Sequence, residues 1–271
     1  MKKPTVAIVG LGQIGGSFAA ALTQRRLARV IGVTRRAETA RRALRMRILA
    51  EAGTDPAALS AADIVVLATP VRTLLKQIPE IAPLVRPGAI LTDVGSTKTE
   101  IVDALRRAGS AGTVIAGHPM AGNERAGLDG CDPDLFVNRP WVLIGNRRRG
   151  ALLERLVGGV GARPLWMKHP QDHDRKVAQV SHIPYLLAYA LMGSPEDAIR
   201  VCGNSFRDAT RVAASDVDMV LDFLLTNRGP IRRSAAELQA RLERLLRWID
   251  QRDAPRLRKA LLRARGRRSR I

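Results

Sequence analysis

The N-terminal half of the chain alternates between short apolar runs and stretches with helical periodicity. Residues 5–10 are rich in β-branched side chains, and the stretch after them places Ile14, Phe18 and Leu22 on one helical face. The alternation repeats, which predicts further strands at residues 30–33, 64–68, 89–93 and 113–116, with helices between them. Repeated βα units of this kind indicate a parallel sheet that helices cover on both faces.

The last strand signals come before residue 169. Strands at residues 141–144 and 164–167 flank a helical stretch and extend the sheet. The periodicity beyond them is helical only. The predicted helices span residues 172–192, 196–211, 216–226, 232–251 and 255–265. We therefore predict a doubly wound, Rossmann-type α/β domain over residues 1–168 and an all-α domain over residues 169–271.

One predicted helix of the second domain carries an apolar stripe. Leu238, Leu242, Leu245 and Ile249 recur along it at helical spacing. This stripe faces either the core of its own subunit or a second subunit, and the pattern alone leaves both interpretations open.

Composition narrows the class of protein. Of 271 residues, 46% are hydrophobic and 26% are charged, which is typical of globular proteins. No apolar run approaches the roughly 18 residues that a membrane span needs, and the first apolar stretch leads into a glycine turn rather than a signal-peptide cleavage site. Cys131 and Cys202 lack the CxxC spacing of zinc and redox sites. We expect a cytoplasmic protein with no membrane contact, disulfide framework or metal.

The formal net charge of +20 comes mostly from arginine. Such a charge attracts nucleic acids and anionic small molecules alike, so it does not distinguish an RNA binder from an enzyme with an anionic substrate. The basic residues are dense after Arg241, where the only acidic side chains are Glu243, Asp250 and Asp253. No aromatic residue follows Trp248, which leaves little for base stacking. We interpret this tail as a solvated, partly frayed end, with a nucleic-acid arm as the alternative.

A glycine-rich turn follows the first strand and opens the first helix. Its sequence, Gly-Leu-Gly-Gln-Ile-Gly, matches the dinucleotide-binding fingerprint, in which the backbone approaches the pyrophosphate and the helix N-terminus meets its charge. Thr69 and Pro70, after the strand at residues 64–68, are placed at the same cofactor site. The predicted contacts of the turn are Gly10, Gly12, Gln13, Ile14 and Gly15.

The end of the second strand favours NADP over NAD. An NAD enzyme usually has a carboxylate there, which accepts hydrogen bonds from the ribose hydroxyls. This chain has Thr34, Arg35 and Arg36 instead. A hydroxyl and guanidinium groups can hold the 2′-phosphate of NADP. The alternative is that the two arginines are simply exposed members of an arginine-rich chain.

Two further segments lie where open α/β sheets bind ligands, at the carboxyl ends of strands. Ser96 follows the strand at residues 89–93. It either contacts the cofactor or substrate or acts only as the N-cap of the next helix. His118 lies in the motif Gly-His-Pro-Met-Ala-Gly after the strand at residues 113–116. A histidine in such a loop is a candidate base at neutral pH.

The helical part carries three more candidates. His182 stands two residues before Pro184 within a long helix, and taken alone it is typical of a packed histidine. Arg207 and Arg211 are spaced to lie on one helical face, which is unfavourable unless an anion joins them. An anion site and a solvated charged face explain this pair equally well.

Taken together, these motifs resemble the prephenate/arogenate dehydrogenase family of tyrosine biosynthesis. The order and spacing match over the whole chain apart from the basic tail. The segments that carry the resemblance are residues 10–17, 94–98, 117–122, 135–138, 181–184 and 206–211. The resemblance implies a Rossmann domain followed by a helical dimerisation domain, and therefore a homodimer. It also implies oxidative decarboxylation of an anionic cyclohexadienol, with hydride transfer from ring C4 to the nicotinamide.

The resemblance also implies roles for single residues. His118 would accept the proton of the ring hydroxyl, and Ser96 would bind near that hydroxyl and the nicotinamide. His182 would line the substrate pocket and Arg211 would bind a substrate carboxylate. Arg207 is a secondary candidate because family members vary there.

Two segments depart from the common pattern of the family and bear on cofactor and substrate specificity. Residues 34–36 are similar to the NADP-using, arogenate-preferring branch. Asn123 stands where many prephenate enzymes have threonine, which leaves arogenate and prephenate both open.

Two other functions are compatible with parts of the sequence. A β-hydroxyacid or pyrroline-type reductase shares the glycine turn but needs a catalytic lysine in the second domain, for which Lys176 is a poor candidate, and it leaves His118 unexplained. A dinucleotide-sensing regulator would use the basic tail to bind nucleic acid.

Overall fold

A single eight-stranded sheet occupies the first 167 residues of the computed structural model, which describes residues 3–122 and 125–270. Its strands are β1 (Thr5–Val9), β2 (Arg29–Val33), β3 (Glu51–Gly53), β4 (Ile64–Leu67), β5 (Ile90–Asp93), β6 (Thr113–Pro119), β7 (Pro140–Gly145) and β8 (Arg163–Met167). The strand order is β3-β2-β1-β4-β5-β6-β7-β8. Strands β1 to β6 pair in parallel, β7 runs antiparallel to β6, and β8 pairs in parallel with β7.

Helices pack on both faces of this sheet. They are α1 (Gln13–Gln24), α2 (Ala37–Arg45), α3 (Val71–Ile81), α4 (Thr99–Ala108) and α5 (Ala151–Gly159). Because side chains of a strand alternate between faces, Val6 and Ile8 enter the core beneath α1 and α5, whereas Ala7 and Val9 enter the core beneath α3 and α4. The predicted Rossmann-type architecture is confirmed.

Two details of the sheet differ from the sequence prediction. Strand β3 was not predicted, because its three residues carry no apolar run and join the sheet through backbone pairing with β2. Strand β6 continues past Ala116 to Pro119, so His118 lies in a strand and not in the loop that we expected. The cause is tertiary: β7 pairs antiparallel with this extension and places Val142 opposite His118.

The described residues after β8 are helical apart from short connections. The predicted helix at residues 172–192 is one helical stretch, made of α6 (Pro170–Val177), a π-helical turn (Ala178–His182) and α7 (Ile183–Met192). Pro184 lacks the N–H that a regular α-helix would use, and the π-helical turn lies directly before it. The later elements are α8 (Glu196–Arg200), α9 (Asn204–Thr210), a 3₁₀ turn (Arg211–Ala214), α10 (Val217–Thr226), α11 (Arg228–Asp250) and α12 (Ala254–Arg268).

The predicted single helix at residues 196–211 is wrong. The chain leaves the helical conformation after Arg200, and α9 begins only after Gly203. Arg207 therefore lies within α9, whereas Arg211 begins the 3₁₀ turn that follows it.

The basic tail after Arg241 consists of the end of α11 followed by α12, and α12 buries none of its residues. It is an ordered helix through Arg268 and not the frayed end that we predicted, although its exposure agrees with a solvated segment. None of the helices within the described ranges combines the length and apolar character of a membrane span.

Candidate active site

The glycine turn between β1 and α1 has the shape of a dinucleotide cradle. Gly10 has φ +96°, and its N–H donates to the carbonyl of Val33 at 2.9 Å. A Cβ on Gly15 would lie 2.1 Å from the Gly10 oxygen, so only glycine lets α1 approach so closely. A Cβ on Gly12 would meet no atom within 4 Å. Since α1 starts at Gln13 without a side-chain cap, its first N–H groups are available to an anion in that space.

Other cofactor candidates surround this turn. The side chain of Thr69 lies against Gly10, with its hydroxyl donating to Gln77 Oε1 at 2.7 Å, and Pro70 is the exposed residue before α3. Ile14 is half-buried against the core. The structure thus brings Thr69 and the glycine turn together, as the sequence placed them.

The segment at the end of β2 divides into a buried and an exposed part. The Thr34 hydroxyl accepts a hydrogen bond from the Arg36 N–H at 3.1 Å and donates to the Arg36 carbonyl at 2.9 Å. Thr34 is buried, so its hydroxyl supports the local turn and is not a free phosphate ligand. Arg35 and Arg36 are exposed beside the N-terminus of α2, which has no side-chain cap.

The segment at residues 125–134, for which the sequence predicts no helix or strand, packs along α1. Gln13 Nε2 donates to the Arg125 carbonyl at 2.6 Å, and Ser17 Oγ accepts from the Asp132 N–H at 2.9 Å. Arg25 forms an ion pair with Asp134 at 2.7 Å. The helix that begins the nucleotide site therefore also holds the segment downstream of His118. Asn123, one of the predicted specificity positions, lies outside the described residues.

A chain of buried polar side chains begins at His118. His118 Nδ1 lies 2.8 Å from His173 Nε2, and His173 Nδ1 lies 2.8 Å from Asp174 Oδ1. His173 and Asp174 are buried, whereas His118 is half-buried at the end of β6. These hydrogen bonds therefore connect a strand of the sheet to α6 of the helical part.

Asp174 also caps a helix of the sheet domain. Its two carboxylate oxygens accept hydrogen bonds from the backbone N–H groups of Lys98 at 2.7 Å and Thr99 at 2.8 Å, at the start of α4. Asp222 of α10 does the same for α3, accepting from the Arg72 N–H at 3.1 Å and pairing with the Arg72 guanidinium. Two carboxylates of the helical part thus satisfy two helix N-termini at the carboxyl edge of the sheet.

A buried ion pair lies beneath this edge. The Lys98 ammonium pairs with Asp93 and donates to the Gly117 carbonyl at 2.6 Å, and both side chains are fully buried. Asp93 also accepts from the N–H groups of Gly95 at 2.9 Å and Gly117 at 3.2 Å. These bonds join the end of β5 to β6 directly before His118.

Burial keeps the histidines neutral. Burial lowers the pKa of His118 well below 6.5, and the neighbouring His173 and Lys98 lower it further. Burial likewise lowers the pKa of His173, although its hydrogen bond with Asp174 opposes the shift. The pKa of His182 falls to about 4, chiefly because of burial. For Asp174, burial favours the neutral acid, but hydrogen bonds from His173 and Thr99 outweigh it and lower its pKa, so it stays ionised.

His182 is a packed histidine within the same region. Its ring stacks on Phe223 with centroids 4.3 Å apart, and its Nδ1 lies 3.1 Å from Asn227 Nδ2. Asn227 Nδ2 also donates to the Asp174 carbonyl at 2.8 Å. This environment is the packed one that we expected for His182 taken alone.

The remaining predicted residues are more peripheral. Ser96 is half-buried three residues before α4, and that helix is capped by Asp174, so the helix-cap interpretation of Ser96 is wrong. Arg207 and Arg211 are exposed at the end of α9, which packs with its following turn on α7. The exposed Lys176 on α6 does not suit the catalytic lysine of the reductase alternative.

Sequence reasoning missed His173, Asp174 and Asn227. A signal existed in the helical spacing, because His173 and Asp174 stand four residues before the apolar Val177 and Ala178 and therefore share their buried face. Two titratable residues on a core-facing stripe require partners, but the sequence could not say that those partners are His118 and the start of α4.

Comparisons with known proteins agree with this arrangement. The nucleotide-binding domain of prephenate dehydrogenase matches residues 18–164, and the dimerisation domain of that enzyme matches residues 169–263. The chain belongs to the prephenate dehydrogenase family. Its members are oxidoreductases, and the match to their nucleotide-binding domain, together with the open cradle at Gly12, identifies a site for a pyridine nucleotide.

Relatives of this prephenate dehydrogenase family member span almost its whole length. A Bacillus subtilis prephenate dehydrogenase is 30% identical over an alignment 270 residues long. The alignment covers 94% of this chain and 72% of the relative. A Synechocystis arogenate dehydrogenase structure is 31% identical, with TM-score 0.85 over 98% of this chain and 99% of that one. An Aquifex aeolicus prephenate dehydrogenase, solved with hydroxyphenyl propionate and NAD+, is 29% identical. Its TM-score is 0.90, and the match covers 100% of this chain and 99% of that one.

Proposed function

We propose that this enzyme catalyses the oxidative decarboxylation of arogenate or prephenate with NADP as the oxidant. The observation that carries the proposal is His118, which stands neutral at the carboxyl edge of the sheet with one ring nitrogen bound to His173. The other nitrogen, Nε2, is the one placed to accept a proton. Relatives named prephenate, arogenate and cyclohexadienyl dehydrogenase support the substrate class.

The reaction divides between cofactor and protein. The nicotinamide, when bound, accepts the hydride that leaves C4 of the substrate ring. His118 accepts the proton of the 4-hydroxyl, so that the O–H electrons form a carbonyl. Departure of the ring carboxylate as carbon dioxide then returns an electron pair to the ring, which becomes aromatic, and the proton on His118 passes back to the phenolate oxygen.

Other residues have supporting roles in this proposal. Ser96 hydrogen-bonds near the 4-hydroxyl and the nicotinamide. Arg211 binds a carboxylate of the substrate and Arg207 adds positive charge, whereas the buried His182 packs beneath the pocket. A dianionic or zwitterionic substrate suits this arginine pair, because exposed guanidinium groups bind carboxylates through charge-assisted hydrogen bonds.

The preference for NADP rests on the end of β2. Arg35 and Arg36 are exposed beside the uncapped N-terminus of α2, and both features favour a phosphate. The three residues directly after β2, Thr34, Arg35 and Arg36, include no carboxylate that would bind both ribose hydroxyls or repel a 2′-phosphate.

We also propose that the enzyme is a homodimer through its helical part. Leu242, Leu246 and Ile249 on α11 are 54%, 48% and 56% exposed, which is unusual for a run of large apolar side chains on one helix. The match of residues 169–263 to a dimerisation domain supports association through the helical part.

The deciding experiment is a steady-state assay of prephenate and arogenate, each with NAD and with NADP. We expect turnover with at least one of these substrates and a higher kcat/KM with NADP. His118→Asn should lower kcat by about 10²- to 10⁴-fold while dinucleotide binding persists. Absence of turnover with all four pairs would refute the proposed function.

The cofactor preference has its own test. Arg35→Ala should weaken NADP binding and spare NAD. Arg45→Ala is the matched control, because Arg45 is exposed at the far end of α2, about 12 Å along the helix. Equal losses for the two dinucleotides in Arg35→Ala would contradict recognition of the 2′-phosphate.

A further inference from the structure

We propose that His173 and Asp174 are positioning residues that fix the tautomer of His118 and so make its Nε2 the proton-accepting nitrogen. Only the identity of the proton donor rests on the proposed function. The assignment of the tautomer follows from the hydrogen bonds of the three side chains.

Asp174 is held as an ionised carboxylate. Its carboxylate accepts hydrogen bonds from the backbone N–H groups of Lys98 at 2.7 Å and Thr99 at 2.8 Å, and it lies at the N-terminus of α4. Backbone donors and a helix N-terminus both favour the ionised form. An ionised carboxylate only accepts hydrogen bonds, so the proton between Asp174 Oδ1 and His173 Nδ1 belongs to His173.

His173 is neutral and relays the preference of Asp174 to His118. This side chain is fully buried, and burial disfavours its charged form. A neutral imidazole with its proton on Nδ1 has a lone pair on Nε2. That lone pair faces His118 Nδ1 at 2.8 Å, so His118 must donate and must carry its own proton on Nδ1.

His118 is left with Nε2 as its basic nitrogen. With its proton on Nδ1, neutral His118 has a lone pair on Nε2. This nitrogen is the one that is not hydrogen-bonded to His173. When Nε2 takes a proton, the positive charge that forms on His118 is hydrogen-bonded to His173 and, through it, to the Asp174 carboxylate. This is the role that the orienting carboxylate has for the histidine of serine proteases, here with one more imidazole between them.

His182 does not offer the same connection. Its Nδ1 lies against the Asn227 amide, and its ring is stacked on Phe223. A donor from Asn227 fixes the protonated nitrogen of His182 as Nε2, the opposite tautomer to the one inferred for His118. The two histidines therefore differ in a measurable way.

The test is ¹⁵N NMR of histidine-labelled enzyme, with no substrate needed. The chain has four histidines, so each signal can be assigned by its loss in a single variant. We expect His118 to show the Nδ1–H tautomer. In His173→Leu, which removes the acceptor, His118 should become a mixture of tautomers. In His173→Gln, whose Oε1 can still accept from His118 Nδ1, the original tautomer should return.

Kinetics supply the second readout. His173→Leu should lower kcat by about 10²- to 10⁴-fold while KM and dinucleotide affinity stay within about twofold. His173→Gln should recover most of kcat. His169→Leu is the matched control, because His169 is exposed one helical turn earlier and should change neither tautomer nor kcat.

Each outcome decides the proposal. An Nε2–H tautomer of His118 in the unaltered enzyme overturns it, whether or not any variant folds. A His173→Leu enzyme that keeps both the Nδ1–H tautomer and normal kcat also overturns it. If no substrate turns over, the proposed function fails while the tautomer assignment is still decided by the spectra.

Discussion

At the scale of single residues, polar groups buried at the carboxyl edge of the sheet prepare His118 for its task. Lys98 and Asp93 hold the backbone of β6 beside it, and His173 holds its ring. A buried positive charge and a buried environment both act against protonation of His118, so its base form prevails at neutral pH. The same groups that hold His118 in place therefore also lower its pKa.

The pH dependence of kcat/KM tests this tuning. A general base acts in its neutral form, so kcat/KM falls as the pH drops through the pKa of His118 in the free enzyme. Because burial lowers that pKa well below 6.5, kcat/KM should hold constant through pH 6.5 and decline only in more acidic solution. His169→Gln should leave the profile unchanged. An acidic limb centred at or above pH 6.5 would contradict the prediction.

The buried Lys98–Asp93 pair makes a prediction about stability. Lys98→Met leaves the Asp93 carboxylate buried without its counter-charge, which should lower the free energy of unfolding by about 3–5 kcal/mol. Urea denaturation measures this loss. Arg147→Met is the control, since Arg147 pairs with Glu154 at the surface and its loss should cost less than about 1 kcal/mol. Similar losses in both variants would argue against the structural role of Lys98.

His182 should make stability depend on acid. Its pKa is about 4 in the folded protein and near 6.5 when unfolded, so its contribution is present above pH 6.5 and is lost as the pH falls toward 4. The full shift corresponds to about 3 kcal/mol. His182→Phe, which keeps a ring on Phe223, should show a shallower loss of unfolding free energy over this range. Equal slopes would show that His182 is not the group responsible.

At the scale of elements, the glycine turn and α1 have two different requirements. Gly15 is needed for packing, because a Cβ there would collide with the Gly10 carbonyl at 2.1 Å. A Cβ on Gly12 would meet no protein atom within 4 Å, so glycine is not needed there for packing. It is needed for the ligand, because the dinucleotide would occupy that space. The same helix holds the loop downstream of β6 through Gln13 and Ser17, so the nucleotide site and that loop share one support.

Alanine substitutions separate the two requirements. Gly15→Ala should lower the thermal midpoint and abolish dinucleotide binding, whereas Gly12→Ala should keep the midpoint and lose only dinucleotide affinity, measured by calorimetric titration. Gly158→Ala is a control in α5, where nothing lies within 4 Å, and it should stabilise the protein by about 0.5–1 kcal/mol. Unchanged dinucleotide affinity in Gly12→Ala would remove this turn from the pyrophosphate site.

At the scale of the whole molecule, the sheet domain and the helical part meet through groups that neither could satisfy alone. Asp174 and Asp222 cap α4 and α3, and Thr97 Oγ1 lies 2.9 Å from Thr226 Oγ1. The chain from Asp174 to His118 runs through this same contact. The candidate active site is therefore a product of the association of the two parts.

The proposed dimer is tested at this scale. Leu246→Glu on α11 should give a monomer by size-exclusion chromatography with light scattering, because a charge would replace an apolar contact at the interface. Leu44→Glu on α2 is the control, since Leu44 is 38% exposed in the sheet domain and should leave the dimer intact. A stable dimer in Leu246→Glu would place the interface elsewhere.

Much of the architecture was predictable because local patterns determine it. Alternating apolar runs and glycine turns reflect strand and helix periods, so the sequence was sufficient to predict the Rossmann-type sheet, the helical second part and the position of His118 near a strand end. The extension of β6 through His118 was not predictable, since it depends on pairing with β7, and neither was β3, which has no apolar run.

The sequence by itself determined that the chain binds a dinucleotide and belongs to a dehydrogenase family, because those properties are encoded in contiguous motifs such as the turn at residues 10–15. Only the tertiary structure decided what surrounds His118. His173 lies 55 residues away along the chain, and Asp174 is held by N–H groups of a helix that starts 75 residues earlier. Hydrogen bonds between buried groups depend on distance in space, which no local pattern records.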